Sequence, residues 1–353
     1  MLGYLRFSLA LVVSLNHLWM VYGVGRLAVF SFYVISGYLM TAILVQTYGL
    51  TAQGIRRYAV NRILRIYPSY LIVFILSAVA FSFFDRPMLA QFDPNISSPA
   101  SFTNWLMNLT LFGLDFFVTD RAVPPSWTLF VEIFYYGLIP ILLVMGRRFI
   151  FGWLVISIAY HLWLIISASP TDASFAWADR YGTVWAGGLG FAIGASAKLY
   201  MPTILTVRFS FLTSLVVFFS CYALSAFWGF TGLKPSVLKV VSTLGYYGAM
   251  FSAAPIVDYL AKMKRVALSE KLGEYSYPFY LVHIPIGFFV FYLMGAEHKN
   301  LYTLSATVGV SLIACWVLVQ VDRRLSQLRS KIRRCNTMSE AELNRQETIS
   351  NRS

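Results

Sequence analysis

R-F-S-L-A-L-V-V-S-L-N-H, residues 6–17, sets an arginine and a histidine at the two ends of a mostly apolar run. Eleven residues separate Arg6 from His17, close to three turns at 3.6 residues per turn, so a helix carries both on one face, roughly 16 Å apart along its axis. A basic residue before an apolar run is also how a signal peptide begins. Here Asn16 and His17 interrupt the run, no clear small-x-small cleavage site follows, and the next apolar run starts almost at once. The stretch therefore reads as an uncleaved first transmembrane helix over about 4–22.

Outward from it the pattern repeats. Further spans are predicted near 27–47, 67–84, 127–146, 150–168, 181–199, 209–228, 236–256, 275–295 and 301–321, giving an all-α, polytopic membrane bundle of about ten transmembrane helices. Hydrophobic residues make up 58% of the 353 and charged residues 12%, with mean hydropathy +0.66, too few charges to cover a soluble surface. Bare backbone polar groups are costly in hydrocarbon, so each span must be a helix, and the runs do not alternate as barrel strands do.

The net charge of +13 does not point to nucleic acid, because the basic residues fall between apolar runs. One set holds Arg56, Arg57, Arg62 and Arg65, then Arg147 and Arg148, Lys198 and Arg208, Lys262 to Lys271, and the tail from Arg323 to Arg334; the opposite set has only scattered cations. The alternation predicts both termini on the cytoplasmic side. The three cysteines suggest neither a disulfide framework nor a metal site, and no metal is expected. A membrane domain is expected over 1–334 and a disordered cytoplasmic tail over 335–353. The longest loop, about 85–126, carries five prolines and an aromatic-rich middle, Phe102 to Phe117, expected as a short helix on the membrane surface.

Ionisable residues inside spans usually face a bundle interior or a wet cavity. Arg6 reads either as such a group or as a side chain snorkelling to the interface. His17 reads either as a base for a sugar hydroxyl or as an interhelical hydrogen-bonder. Glu132, in S-W-T-L-F-V-E-I-F-Y-Y, has three readings beside a structural ion pair: orienting His17, binding Arg6, or holding an acceptor hydroxyl; Ser126 or Thr128 is expected to cap its helix. His283 lies between Pro278 and Pro285, which predict a broken or kinked helix and a site wall. His161 reads as an ordinary interhelical hydrogen-bonder, and His298 falls in an outer loop. Arg62 and Arg65, three apart, share a helix face and suit either phosphate binding or topology signalling.

These residues carry a resemblance to the acyltransferase-3 family. Arg6 and His17 resemble its Arg-x10-His signature; F-S-F-Y-V-I-S-G-Y-L-M, with Ser36 and Gly37, resembles its aromatic Ser-Gly stretch; R-I-L-R-I-Y-P, the Glu132 segment and Y-S-Y-P-F-Y-L-V-H-I-P resemble three further blocks in family order. One departure is Phe30, near the place where many members have an acidic residue.

The resemblance implies transfer of an acyl group, usually acetyl, from cytoplasmic acetyl-CoA to a hydroxyl of a cell-surface polysaccharide or lipopolysaccharide O-antigen, in a bacterial inner (cytoplasmic) membrane. It implies His17 as base or acyl carrier, Arg6 in support, Glu132 and His283 lining the site, Arg62 and Arg65 on coenzyme A phosphates, and Ser36 and Tyr280 as further substrate contacts. A polar passage is expected to join Arg6 to His17. The alternative is a transporter or flippase for a glycolipid or polysaccharide precursor, since intramembrane charges and broken helices also suit passage.

Overall fold

The structure, a computed structural model, describes residues 1–19, 23–167, 175–201, 207–227, 235–295 and 299–350, with side chains left out at some of these, including 333–350. The described residues form helices with no named strand: α1 (Leu2–Leu18), α2 (Val24–Ile43, continued by a π-turn at Leu44–Tyr48), α3 (Ala52–Phe81), α4 (Arg86–Phe92), α5 (Phe102–Thr110), α6 (Trp127–Met145), α7 (Arg147–Ser167), α8 (Phe175–Tyr181), α9 (Val184–Tyr200), α10 (Val207–Phe227), α11 (Pro235–Lys262), α12 (Ala267–Leu293) and α13 (Leu301–Ser350). Every predicted span falls on one of them. Six stretches among the described residues are long and apolar enough to cross a membrane, on α2, α3, α6, α7, α12 and α13.

α3 begins at Ala52, well before its apolar run, so Arg56 to Arg65 lie on the same helix as that run; Thr51 Oγ1 accepts the Gly54 N–H at 3.1 Å and caps it. α12 runs unbroken through Pro278 and Pro285. Each proline removes one backbone bond, and packing on both sides of a buried helix holds the rest. The described backbone of α13 runs to Ser350.

Apolar packing divides into two clusters. One is centred on α2, α9 and α11, the other on α3, α12 and the loop between α3 and α6. α1 serves both, with Leu9 and Val13 in the first and Ala10 and Leu18 in the second. Phe32 of α2 and Tyr136 of α6 also touch both. The seam between the clusters is where the polar residues gather. Outward faces stay apolar, as at Ile156, Ile166, Ile313 and Trp316, which suits lipid and not water.

Small residues set the closest crossing. A Cβ on Gly37 would stand 2.2 Å from the Phe191 carbonyl oxygen, and one on Gly194 2.0 Å from that of Val34, so α2 and α9 touch backbone to backbone. The Gly of the Ser36–Gly37 pair thus serves packing. Substituting Gly194→Ala forces that contact apart and costs about 1–3 kcal/mol. Gly137→Ala on α6, with open space around its Cβ, stabilises by about 0.5–1 kcal/mol. Thermal unfolding of detergent-solubilised protein separates the two: equal midpoints would remove the α2–α9 contact from this role.

Candidate active site

Two cavities lie in the seam, one above the other. The first, about 360 Å³, is at the arginine-rich end and is lined by Arg6, Ser36, Arg62, Arg65, Glu132 and Tyr136, among others. The second, about 660 Å³, holds His17 and Asp93 under the long loop. Both include Val29 and Tyr280 in their walls. Arg6 lines the first cavity and His17 the second, and Tyr280 lies in the wall of both. The single Thr128 hydroxyl proton goes to the Pro125 carbonyl at 2.9 Å, so the Tyr280 hydroxyl donates to Thr128 at 2.9 Å, tying α12 to α6 across the seam. Thr128 thus bonds the turn before α6, and Ser126 makes no capping bond.

In the lower chamber, Glu132 Oε1 accepts the Ser36 hydroxyl at 2.8 Å and the Tyr136 hydroxyl one turn along α6. Glu132 is thereby placed with Arg6 and away from His17. Arg65 donates to Asp322 Oδ2 at 2.8 Å, and Arg329 reaches the same carboxylate at 3.0 Å. Arg62 differs. Its guanidinium meets Met40 Sδ at 3.6 Å and the faces of Tyr58 and Tyr136 at 5.9 and 6.0 Å, its Nε is buried without a hydrogen-bond partner, and no described carboxylate lies in ion-pair range. An uncompensated guanidinium fits an anionic ligand such as a phosphate.

In the upper chamber, His17 Nδ1 stands 3.6 Å from Asp93 Oδ2. That distance is longer than a formed hydrogen bond. Asp93 follows α4, and its Oδ1 accepts the Asn95 N–H at 2.9 Å, the turn that D-P-N favours. Burial by itself would raise the Asp93 carboxyl; its contact with His17, the Asn95 N–H and the charge of Lys299 outweigh this and hold it down at about 2. Behind His17 lies His283, fully buried, ring centroids 5.6 Å apart. Its Nδ1 donates to the Tyr280 carbonyl at 2.9 Å, and Nε2 has no partner among the described residues.

The long loop is ordered around Asp120, which accepts from Ser97 and Asn104, while Asn108 donates to the Asp120 carbonyl at 2.9 Å. α5 presents exposed Phe102, Trp105, Leu106 and Leu109, as an interfacial helix does. Phe30 is enclosed by Tyr33 and Tyr246 in the first cluster, and the carboxylate that faces His17 comes from the long loop. His161 bonds Tyr247 at 2.8 Å and the Ala186 carbonyl at 3.0 Å, an interhelical tie as expected. His298 lies outside the described residues. Sequence reasoning passed over Asp93, Asp322 and Arg329. The signals present were the D-P-N turn for the first and, for the second, an acid at the end of the last apolar run.

A family model described as an acyltransferase domain, acyltransferase-3, matches residues 2–320. A stretch of 119 residues, a third of this chain, is 29% identical to an uncharacterized protein of Haemophilus influenzae and spans 49% of it. A stretch of 125 residues is 32% identical to a Bacillus subtilis protein named "Putative peptidoglycan O-acetyltransferase YrhL". It covers 35% of this chain and 20% of that one. The chain thus spans half or less of the curated relatives it matches, and no solved structure matches it. With the family match running from the first helix into the last, the chain is a multi-helix membrane protein that belongs to the acyltransferase-3 family.

Proposed function

We propose that the protein transfers an acyl group, acetyl above all, from acyl-CoA to a hydroxyl of a cell-surface polysaccharide. The observation that carries this reading is the division of labour across Tyr280: an uncompensated arginine in one chamber, a histidine facing a carboxylate in the other. The relative named as a peptidoglycan O-acetyltransferase favours a glycan acceptor. The arginine-rich chamber opens on the side that the positive-inside pattern makes cytoplasmic, where a charged donor is found. Both termini then lie in the cytoplasm, in a bacterial inner membrane.

A bound acyl-CoA supplies an activated thioester. Arg62 holds its phosphates, with Arg6 nearer the reacting end and Arg65 fixed on Asp322. Asp93, facing Nδ1, selects the His17 tautomer with a basic Nε2. Nε2 takes the proton of the acceptor hydroxyl as its oxygen bonds to the acyl carbon, and the imidazolium returns that proton to the departing sulfur. Asp93 is ionised throughout, because its contact with His17, the Asn95 N–H and the charge of Lys299 hold its carboxyl below the usual carboxylate range.

Positioned proton transfer contributes about 10²–10⁴-fold, so His17→Ala lowers thiol release from acetyl-CoA by that factor while the protein still inserts. Retained activity would take His17 out of the mechanism. Asp93→Asn lowers kcat at least about tenfold with little change in KM for the donor, and an unchanged kcat refutes the orienting role. Removing a charge-assisted contact costs about 1.5–3 kcal/mol, so Arg62→Gln weakens acetyl-CoA binding about tenfold or more by calorimetry. Arg65→Gln weakens it less and chiefly lowers the unfolding temperature; equal losses of affinity would mean both arginines touch the donor. If no acceptor elicits thiol release, the transporter reading replaces this one.

A further inference from the structure

Two cations of the upper chamber have no carboxylate at ion-pair distance among the described residues: Arg121 and Lys299, which line it with His17 and Asp93. The Asp93 carboxylate is already engaged by His17 and by Asn95. Arg121 is 1% exposed and spends one nitrogen on two backbone carbonyls, those of Asp115 at 2.8 Å and Phe116 at 3.1 Å, while its Nε is buried with no partner. Lys299 donates to the His17 carbonyl at 2.8 Å and stands 4.2 Å from the centre of the Phe92 ring. Buried cations without counter-charge are expensive, and structures tolerate them where a ligand supplies it. Beside them Phe116, Trp127 and Tyr181 meet edge to face at 4.9–5.5 Å, a rigid apolar wall of the kind a sugar face covers.

We infer that the acceptor taken by this chamber is an acidic glycan, bearing a carboxylate or phosphate that meets Lys299 and Arg121 while a neighbouring hydroxyl faces His17. That it is an acceptor rests on the acyl-transfer reading; that the chamber binds an anionic sugar does not. A neutral sugar would leave both cations with only the longer-range charge of Asp93, and Lys299 in turn helps to keep that carboxylate ionised.

The test uses the full chain in lipid nanodiscs and three oligosaccharides alike except at one sugar: glucose, glucuronate and glucose 6-phosphate. Dissociation constants come from calorimetry, and free thiol release from acetyl-CoA is followed in parallel. The expected result is at least tenfold tighter binding of the acidic probes than of the neutral one, a preference that shrinks between 50 and 500 mM salt as a charge contact should. The tighter of the two acidic arms identifies carboxylate or phosphate as the group read. Lys299→Gln brings the ratio of acidic to neutral affinity to about threefold or less, and Lys299→Arg restores it, which a tether to the His17 carbonyl alone would not require. Neutral and acidic probes bound alike, or none bound, overturns the inference. Acidic preference without thiol release keeps it and removes acyl transfer; thiol release with no acidic preference does the reverse.

Discussion

An ionised side chain at bilayer depth is expensive, about 2.5–3.5 kcal/mol on insertion scales, unless it finds a partner, water or a ligand. The arrangement of this protein follows from that constraint. Its helices pack into two apolar clusters, and the charged groups of α1, α3, α6 and α13 turn toward the seam between them. Each is handled differently there. Asp322 takes Arg65 and Arg329, Glu132 takes two hydroxyls, Asp93 stands against His17, and Arg62 is left to aromatic faces.

The seam stays open because its walls are fixed elsewhere. Backbone contact of α2 with α9 at Gly37 and Gly194 locks one side, and the first turn of α1 is pinned to α12, where the Gly3 N–H donates to Ser269 Oγ at 3.1 Å. Between these the Tyr280–Thr128 bond ties α12 to α6. On the acyl-transfer reading, the cavities beside it are a donor chamber and an acceptor chamber. The long loop lines the far end and brings Asp93 with it, so a segment that looks like a connection supplies part of the chamber wall.

His283 shows how proline-rich helix and site geometry combine. Pro278 and Pro285 read as a break or a kink, α12 is continuous, and the imidazole between them donates to the Tyr280 carbonyl within its own turn. Its other nitrogen has no partner among the described residues, and the bond holds Tyr280, in the wall of both chambers, in place.

Helix class, the approximate spans, the shared face of Arg6 and His17, and the pairing of Arg62 with Arg65 on one face were all legible in the chain. Hydrophobic length and the 3.6-residue period are local properties, and bilayer physics turns them directly into helices with defined faces. What the chain could not disclose was which charges meet. Asp93 reaches His17 from 76 positions away through a folded loop, Asp322 draws Arg65 off across 257, and Tyr280, in the wall of both chambers, bonds Thr128 at a separation of 152. Such partners are chosen by how whole helices pack, a long-range outcome of shape and volume, and no local pattern encodes it.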